Sequence, residues 1–104
     1  MPIHPSGQLA AASLLLALCA AAAAQAPSRL GLCASCHGER GIATTTSLPN
    51  LAGQNLDYLR NALEQYRSGA RDVAAMRATL GMVSAADADA ILRWYATQPP
   101  ADPK

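Results

Sequence analysis

Apolar residues recur at helical spacing in the middle of the chain. They are separated by three, four and three residues, which places them on one face of a helix. Asn55 precedes the stripe and is a favoured N-cap residue, whereas Gly69 follows Ser68 and is a typical stop signal. The stripe consists of Leu56, Leu59, Leu63 and Tyr66. The pattern predicts an amphipathic helix that Asn55 caps and that runs to Ser68.

A second helix is predicted towards the C-terminal end. Ser84 is its N-cap, Asp87 stands three residues later as a capping partner, and Pro99-Pro100 ends it. Its buried face is expected to hold Ala88, Ile91, Leu92 and Tyr95.

Shorter helical turns are predicted in residues 27–36 and 72–80, and the Gly-, Thr- and Pro-containing stretch 38–53 is predicted to be a loop. No segment alternates with a period of two. The predicted fold class is therefore all-α, with three to five short helices.

The first 26 residues are predicted to be a signal peptide. Residues 9–24 are nearly all Leu and Ala, and Ala24-Gln25-Ala26 matches the small-x-small cleavage pattern. A retained membrane anchor is the competing interpretation, but the apolar run is short and its Ala-rich end is weakly hydrophobic. We therefore expect a signal peptide at 1–26, one domain at 27–104, and no stable membrane span after cleavage.

Composition restricts the partners and the size of the core. Eight Lys and Arg residues nearly balance seven Asp and Glu residues, and no block of like charge indicates a surface for nucleic acid or anionic lipid. The domain at 27–104 contains no Phe and only short amphipathic segments, so its core is marginal for its length. Something besides side chains is needed to complete that core.

The run Cys33-Ala34-Ser35-Cys36-His37 has the spacing of a haem attachment motif. Two thiols at this spacing add to the two vinyl groups at one porphyrin edge, and the next residue, His37, then faces the iron as the proximal ligand. A haem is a broad apolar plate, and it would fill the thin core. The predicted cofactor is one covalently attached haem c per chain, held by Cys33 and Cys36.

Zinc binding and thiol redox chemistry are the competing interpretations of this motif. A zinc site needs about four ligands, yet the domain at 27–104 has no Cys or His beyond Cys33, Cys36 and His37. A thioredoxin-like pair sits at the strand-to-helix turn of a βαβ unit, and no strand is predicted. A disulfide between the two cysteines would close too small a loop to stabilise much. Haem is therefore the preferred interpretation.

An electron carrier also needs a sixth iron ligand, and with no other His in the domain the candidates are the thioethers of Met76 and Met82. Met76 lies in a segment able to fold over the open haem face and is the preferred distal ligand. Met82 stands close to the Ser84 cap and is kept as the alternative. A His–Met pair raises the reduction potential relative to two nitrogen ligands.

Together these residues resemble a class I c-type cytochrome, and most closely the bacterial cytochrome c4 and c553 group. The resemblance covers nearly all of residues 27–104. It rests on the haem motif with Gly38 and Gly41, Leu48-Pro49-Asn50-Leu51-Ala52-Gly53-Gln54, Tyr58-Leu59, Tyr66-Arg67-Ser68-Gly69 with Arg71, Met76, and residues 87–95.

The resemblance implies a small cytochrome c fold wrapped around the haem. It implies that the carbonyl of Pro49 accepts a hydrogen bond from the proximal imidazole of His37, and that Met76 is the axial methionine. It places Trp94 or Tyr95 in the contact between the last helix and the first, near Gly31. Three residues would reach the haem propionates, namely Gln54, Tyr58 and Arg71.

The function expected from these features is that of a periplasmic carrier of single electrons in a respiratory chain of a Gram-negative bacterium, without enzymatic activity. Export fits covalent haem attachment, which in bacteria takes place outside the cytoplasm. Its partners would be other redox proteins, and the chain would act as a monomer or as a subunit of a redox complex. One alternative is a haem subunit of a dehydrogenase or oxidase complex. The other is a sensor or peroxidase-like haem protein with an open sixth position.

Overall fold

A computed structural model describes residues 25–103, and within this range the backbone forms four α-helices and no strand. The helices are α1 (Gly31–His37), α2 (Leu56–Ser68), α3 (Ala74–Leu80) and α4 (Ala85–Ala96). None of these helices is long and apolar enough to cross a membrane. The predicted all-α class is confirmed, whereas the predicted signal peptide, apart from its last two residues, lies outside the described range.

Helices α2 and α4 begin at the predicted N-caps. Asn55 Oδ1 accepts a hydrogen bond from the backbone N–H of Tyr58 at 3.0 Å. Ser84 Oγ accepts one from the N–H of Asp87 at 3.1 Å. Each bond satisfies a donor that the first helical turn leaves unpaired. Helix α2 ends, as predicted, at Gly69, whose φ of 85° lies in the left-handed region that glycine adopts without strain.

The core lies between α2 and α4, with the chain that leads into α1 packed against them. All four predicted core residues of α4 are buried. On α2, however, only Leu59 of the predicted stripe is fully buried, joined by Ala62. Leu63 and Tyr66 are only partly buried because both line an open cavity, although Leu63 also packs against the buried cluster.

Helix α4 is tied to the C-terminal end of α1. The Tyr95 hydroxyl donates to the carbonyl of Gly38 at 2.8 Å, and Trp94 Nε1 donates to the carbonyl of Glu39 at 2.7 Å. The contact expected near Gly31 is present, because its neighbour Leu30 belongs to the same buried cluster as Tyr95. A Cβ added at Gly31 itself would meet nothing within 4 Å.

An ion-pair network joins α2 to α4 at the surface. Asp89 accepts hydrogen bonds from Arg60 Nε at 2.7 Å and Arg60 Nη2 at 3.1 Å, and a third from Arg93 Nε at 2.8 Å. The hydrogen bonds from Arg60, and then that from Arg93, hold the pKa of Asp89 well below its usual range. The network therefore favours the folded state while Asp89 is ionised.

We expect Asp89→Asn to lower the melting temperature at pH 7 and to have a smaller effect at pH 3. The folded-state pKa of Asp89 is depressed, so its contribution is complete above the unfolded-state value of about 3.9 and is lost as the pH falls towards the folded value. Thermal unfolding of parent and variant at both pH values measures this. Asp102→Asn, the same charge change at an exposed residue beyond α4, is the control. An Asp89→Asn effect of equal size at both pH values would contradict the ionic origin.

Candidate functional site

The cysteine motif lies on α1, and Gly38 determines where that helix ends. Cys33, Cys36 and His37 fall within a single seven-residue helix, with His37 as its last residue. Gly38 has a φ of 78°, which favours glycine, and a Cβ there would also clash with the backbone carbonyl of Ile42. The chain therefore turns away directly after His37.

Residues 38–53 fold back on α1 as a closed loop. The carbonyl of Gly41 accepts hydrogen bonds from the N–H groups of Leu51 at 2.8 Å and Ala52 at 3.1 Å. Gly41 has a φ of 85°, and any side chain there would press on Ala52 and on the ring of Tyr95. This closure holds the end of the loop, including Pro49, against α1.

The imidazole of His37 is oriented by the Pro49 carbonyl. Nδ1 lies 2.9 Å from the Pro49 oxygen, and the side chain is only 6% exposed. A carbonyl oxygen can only accept, so Nδ1 carries a proton. The neutral tautomer compatible with this bond has its lone pair on Nε2, the nitrogen that would bind a metal ion.

A cavity of about 310 Å³ opens beside His37, with Cys33 and Cys36 in the same wall. Both thiols are free; Cys36 is exposed, and burial raises the pKa of the Cys33 thiol. Apolar side chains from α2 and α4 form much of the remaining wall, among them Leu59, Leu63, Ile91 and Leu92. Within residues 25–103, no three His, Cys, Asp or Glu side chains come together as a zinc site would require.

The two candidate methionines occupy different places. Met76, on α3, lines the cavity that His37 also lines. Met82 does not line it and is 58% exposed, and its carbonyl accepts a hydrogen bond from Arg29 at 3.3 Å. The structure therefore brings Met76, and not Met82, to the side of the motif.

The three residues predicted near the haem propionates, Gln54, Tyr58 and Arg71, all line the cavity as well. Arg71 is the one Arg or Lys among the described lining residues, and none of these is an Asp or Glu. Its guanidinium carbon lies 5.9 Å from the ring centre of Tyr58 and 5.7 Å from that of Tyr66. The proximity of Tyr58, and then of Tyr66, raises the pKa of Arg71.

Two residues with a part in this site were not predicted in that role. Gln65 Oε1 accepts a hydrogen bond from Arg71 Nε at 2.6 Å across the turn that ends α2. Tyr95 lines the cavity beside Cys33, and burial, followed by the charge of Cys33, raises its pKa. The sequence signal for Gln65 is only its place six residues before Arg71 across Gly69, which does not indicate contact by itself.

Comparison with protein-family models matches residues 22–101 to the family described as cytochrome c. The chain belongs to the cytochrome c family. This family carries covalently attached haem c with its iron, and the Cys33, Cys36 and His37 pattern agrees with that cofactor. The cavity fits it too, because two thiols and an imidazole nitrogen face an apolar space whose wall holds one arginine. The expected class I c-type cytochrome and haem c are confirmed.

A curated relative of this cytochrome is named "Thiosulfate dehydrogenase electron acceptor", from Thiomonas intermedia (strain K12). The two are 34% identical over 78 residues, which is 74% of this chain and 36% of the relative. The chain therefore spans little more than a third of the length of that relative. The family and the relative agree that this is an electron-transfer haem protein.

Proposed function

We propose that this cytochrome is a carrier of single electrons in the periplasm, with His37 and Met76 as the axial ligands of its haem. The observation that carries the proposal is that His37 from α1 and Met76 from α3 line one cavity together with both cysteines. When bound, haem c supplies an iron centre that accepts and releases one electron.

The roles of the individual residues follow from their chemistry. Cys33 and Cys36 would hold the haem through thioether bonds, and His37 Nε2 would bind the iron. The hydrogen bond to Pro49 fixes the ring orientation and makes the imidazole a better donor. Met76 would supply a thioether that closes the sixth position to oxygen and peroxide and raises the potential. A closed sixth position favours electron transfer over sensing or peroxidase chemistry.

The location and the partners are part of the same proposal. The apolar stretch 9–24 with its cleavage pattern supports export, as does the need for covalent haem attachment outside the cytoplasm. The donor and acceptor would be other redox proteins, with no nucleic acid and no catalytic reaction in this chain. Within the family, the cytochrome c4 and c553 group stays a prediction.

A subunit of a dehydrogenase complex is the second candidate, and the name of the relative favours it. In that case the partner enzyme performs the chemistry and this cytochrome only receives its electrons. An enzyme that oxidises thiosulfate is the partner to test first.

The test is to express the full chain in a Gram-negative host with its haem attachment system. We expect a haem-staining band in the periplasmic fraction, a low-spin His–Met spectrum, and little carbon monoxide binding to the reduced protein. Absence of covalent haem would contradict the proposal, and strong carbon monoxide binding would favour a sensor or peroxidase-like protein. Elution of the native protein as a monomer supports the free carrier, whereas stable co-elution with a dehydrogenase supports the subunit.

A further inference from the structure

Arg71, in the turn between α2 and α3, is held differently from the arginines of α2, α3 and α4. Each of those forms an ion pair with a carboxylate; they are Arg60, Arg67, Arg77 and Arg93. Arg71 is held by neutral groups instead. Its Nε donates to Gln65 Oε1 at 2.6 Å, and its guanidinium lies over the rings of Tyr58 and Tyr66.

Gln65 accepts two hydrogen bonds from Arg71. Besides the side-chain bond, the backbone N–H of Arg71 donates to the carbonyl of Gln65 at 3.0 Å. A guanidinium has five N–H donors, so the bond from Nε leaves the two Nη groups for other acceptors. Fixing Nε in this way sets the plane of the guanidinium before any ligand is bound.

The charge of Arg71 stays uncompensated at the cavity. Gln65 has the shape of glutamate without its charge, and no described residue that lines the cavity is an Asp or Glu. The peripheral carboxylates of a haem are anions, and a guanidinium is the side chain that binds carboxylates best. A fixed positive charge near the iron site also favours the ferrous over the ferric state, because the ferrous centre carries one positive charge fewer.

We propose that Gln65 is a positioning residue that aims the charge of Arg71 at the haem carboxylates and, by being neutral, keeps the reduction potential high. This inference rests on the proposed function, since it takes the cavity to be the haem site. It assigns a role to Gln65 that acts entirely through Arg71.

The test is the midpoint potential of the holo-protein at pH 7. Gln65→Glu is nearly isosteric, and it would pair with Arg71 and add a negative charge. We expect it to lower the midpoint potential by up to about 59 mV, which for one electron is a tenfold change in the ferric–ferrous equilibrium constant. Ala90→Asp adds the same charge at an exposed position of α4 that does not line the cavity, and it should shift the potential much less.

A double-mutant cycle tests whether Gln65 acts through Arg71. Gln65→Leu removes the acceptor without adding charge, and it should lower the potential in the parent but not in an Arg71→Gln background. An unchanged potential in Gln65→Glu overturns the proposal, as does a Gln65→Leu shift that persists without Arg71. Haem staining and the visible spectrum of the parent are recorded first. A parent without covalent haem overturns the proposed function and this inference together, whereas a normal parent with insensitive variants overturns only the inference.

Discussion

Replacing both motif cysteines, Cys33→Ala with Cys36→Ala, is expected to remove all covalent haem and to leave the chain without a stable fold. The buried cluster comprises only five residues around α2 and α4, and the cavity beside it measures about 310 Å³. Without haem the apolar wall of this open cavity would face water, and a small domain is stable by only about 5–15 kcal/mol, so losing that burial removes a large share of its stability. Haem staining and circular dichroism at 222 nm, followed during urea titration, measure both losses.

Ser35→Ala is the matched control, because it changes the same helix and keeps both thiols. It should stain for haem and unfold as the parent does. If the double cysteine variant kept the helical signal and the urea midpoint of the parent, the haem would not be part of the core. Helices α2 and α4 would then be stable on the packing of Leu59, Ile91 and Tyr95 alone.

The parts of the fold that the sequence predicts well are those determined by neighbouring residues. Asn55 and Ser84 cap their helices through a bond to a residue three positions later, and Gly69 ends α2 by its own backbone preference. Such signals lie within one helical turn. They could therefore be recognised without knowing what the helices pack against.

The burial of α2 and the closure of the loop depend on distant contacts. The apolar stripe predicts a buried face, but Leu63 lies beside a cavity that only the assembled fold creates. The loop after α1 is held by the bond from Trp94 to the carbonyl of Glu39, 55 residues away. No local pattern encodes a pairing over that distance.

The candidate site divides in the same way. The Cys33 and Cys36 spacing is local, and it was sufficient to predict the cofactor class. The choice between Met76 and Met82 as distal ligand depends on where α3 lies relative to the cavity. The hydrogen bond from Arg71 to Gln65 depends on the turn between α2 and α3. The sequence limits the distal-ligand candidates to two methionines, and the packing of the helices shows which of the two lines the cavity.

Met76→Ala is expected to open the sixth iron position and to lower the reduction potential on the order of 0.1 V or more, since axial ligands set haem potentials over a range of about 0.8 V. Alanine has no donor atom, and α3 offers no second methionine or histidine to replace the lost thioether. The variant should lose the His–Met absorption of the ferric protein and bind carbon monoxide when reduced. Visible spectroscopy and potentiometric titration of the holo-protein measure these changes.

Met82→Ala is the matched control, since it removes the same side chain at a position that is 58% exposed and outside the cavity wall. It should keep the spectrum of the parent, its potential and its low affinity for carbon monoxide. If Met82→Ala produced the open-site spectrum and Met76→Ala did not, the distal ligand would come from the segment between α3 and α4. That segment would then have to turn inwards and break the bond from Arg29 to the Met82 carbonyl, so an added Arg29→Ala substitution would ease the ligation in that case. With Met76 as the ligand, Arg29→Ala leaves the spectrum unchanged.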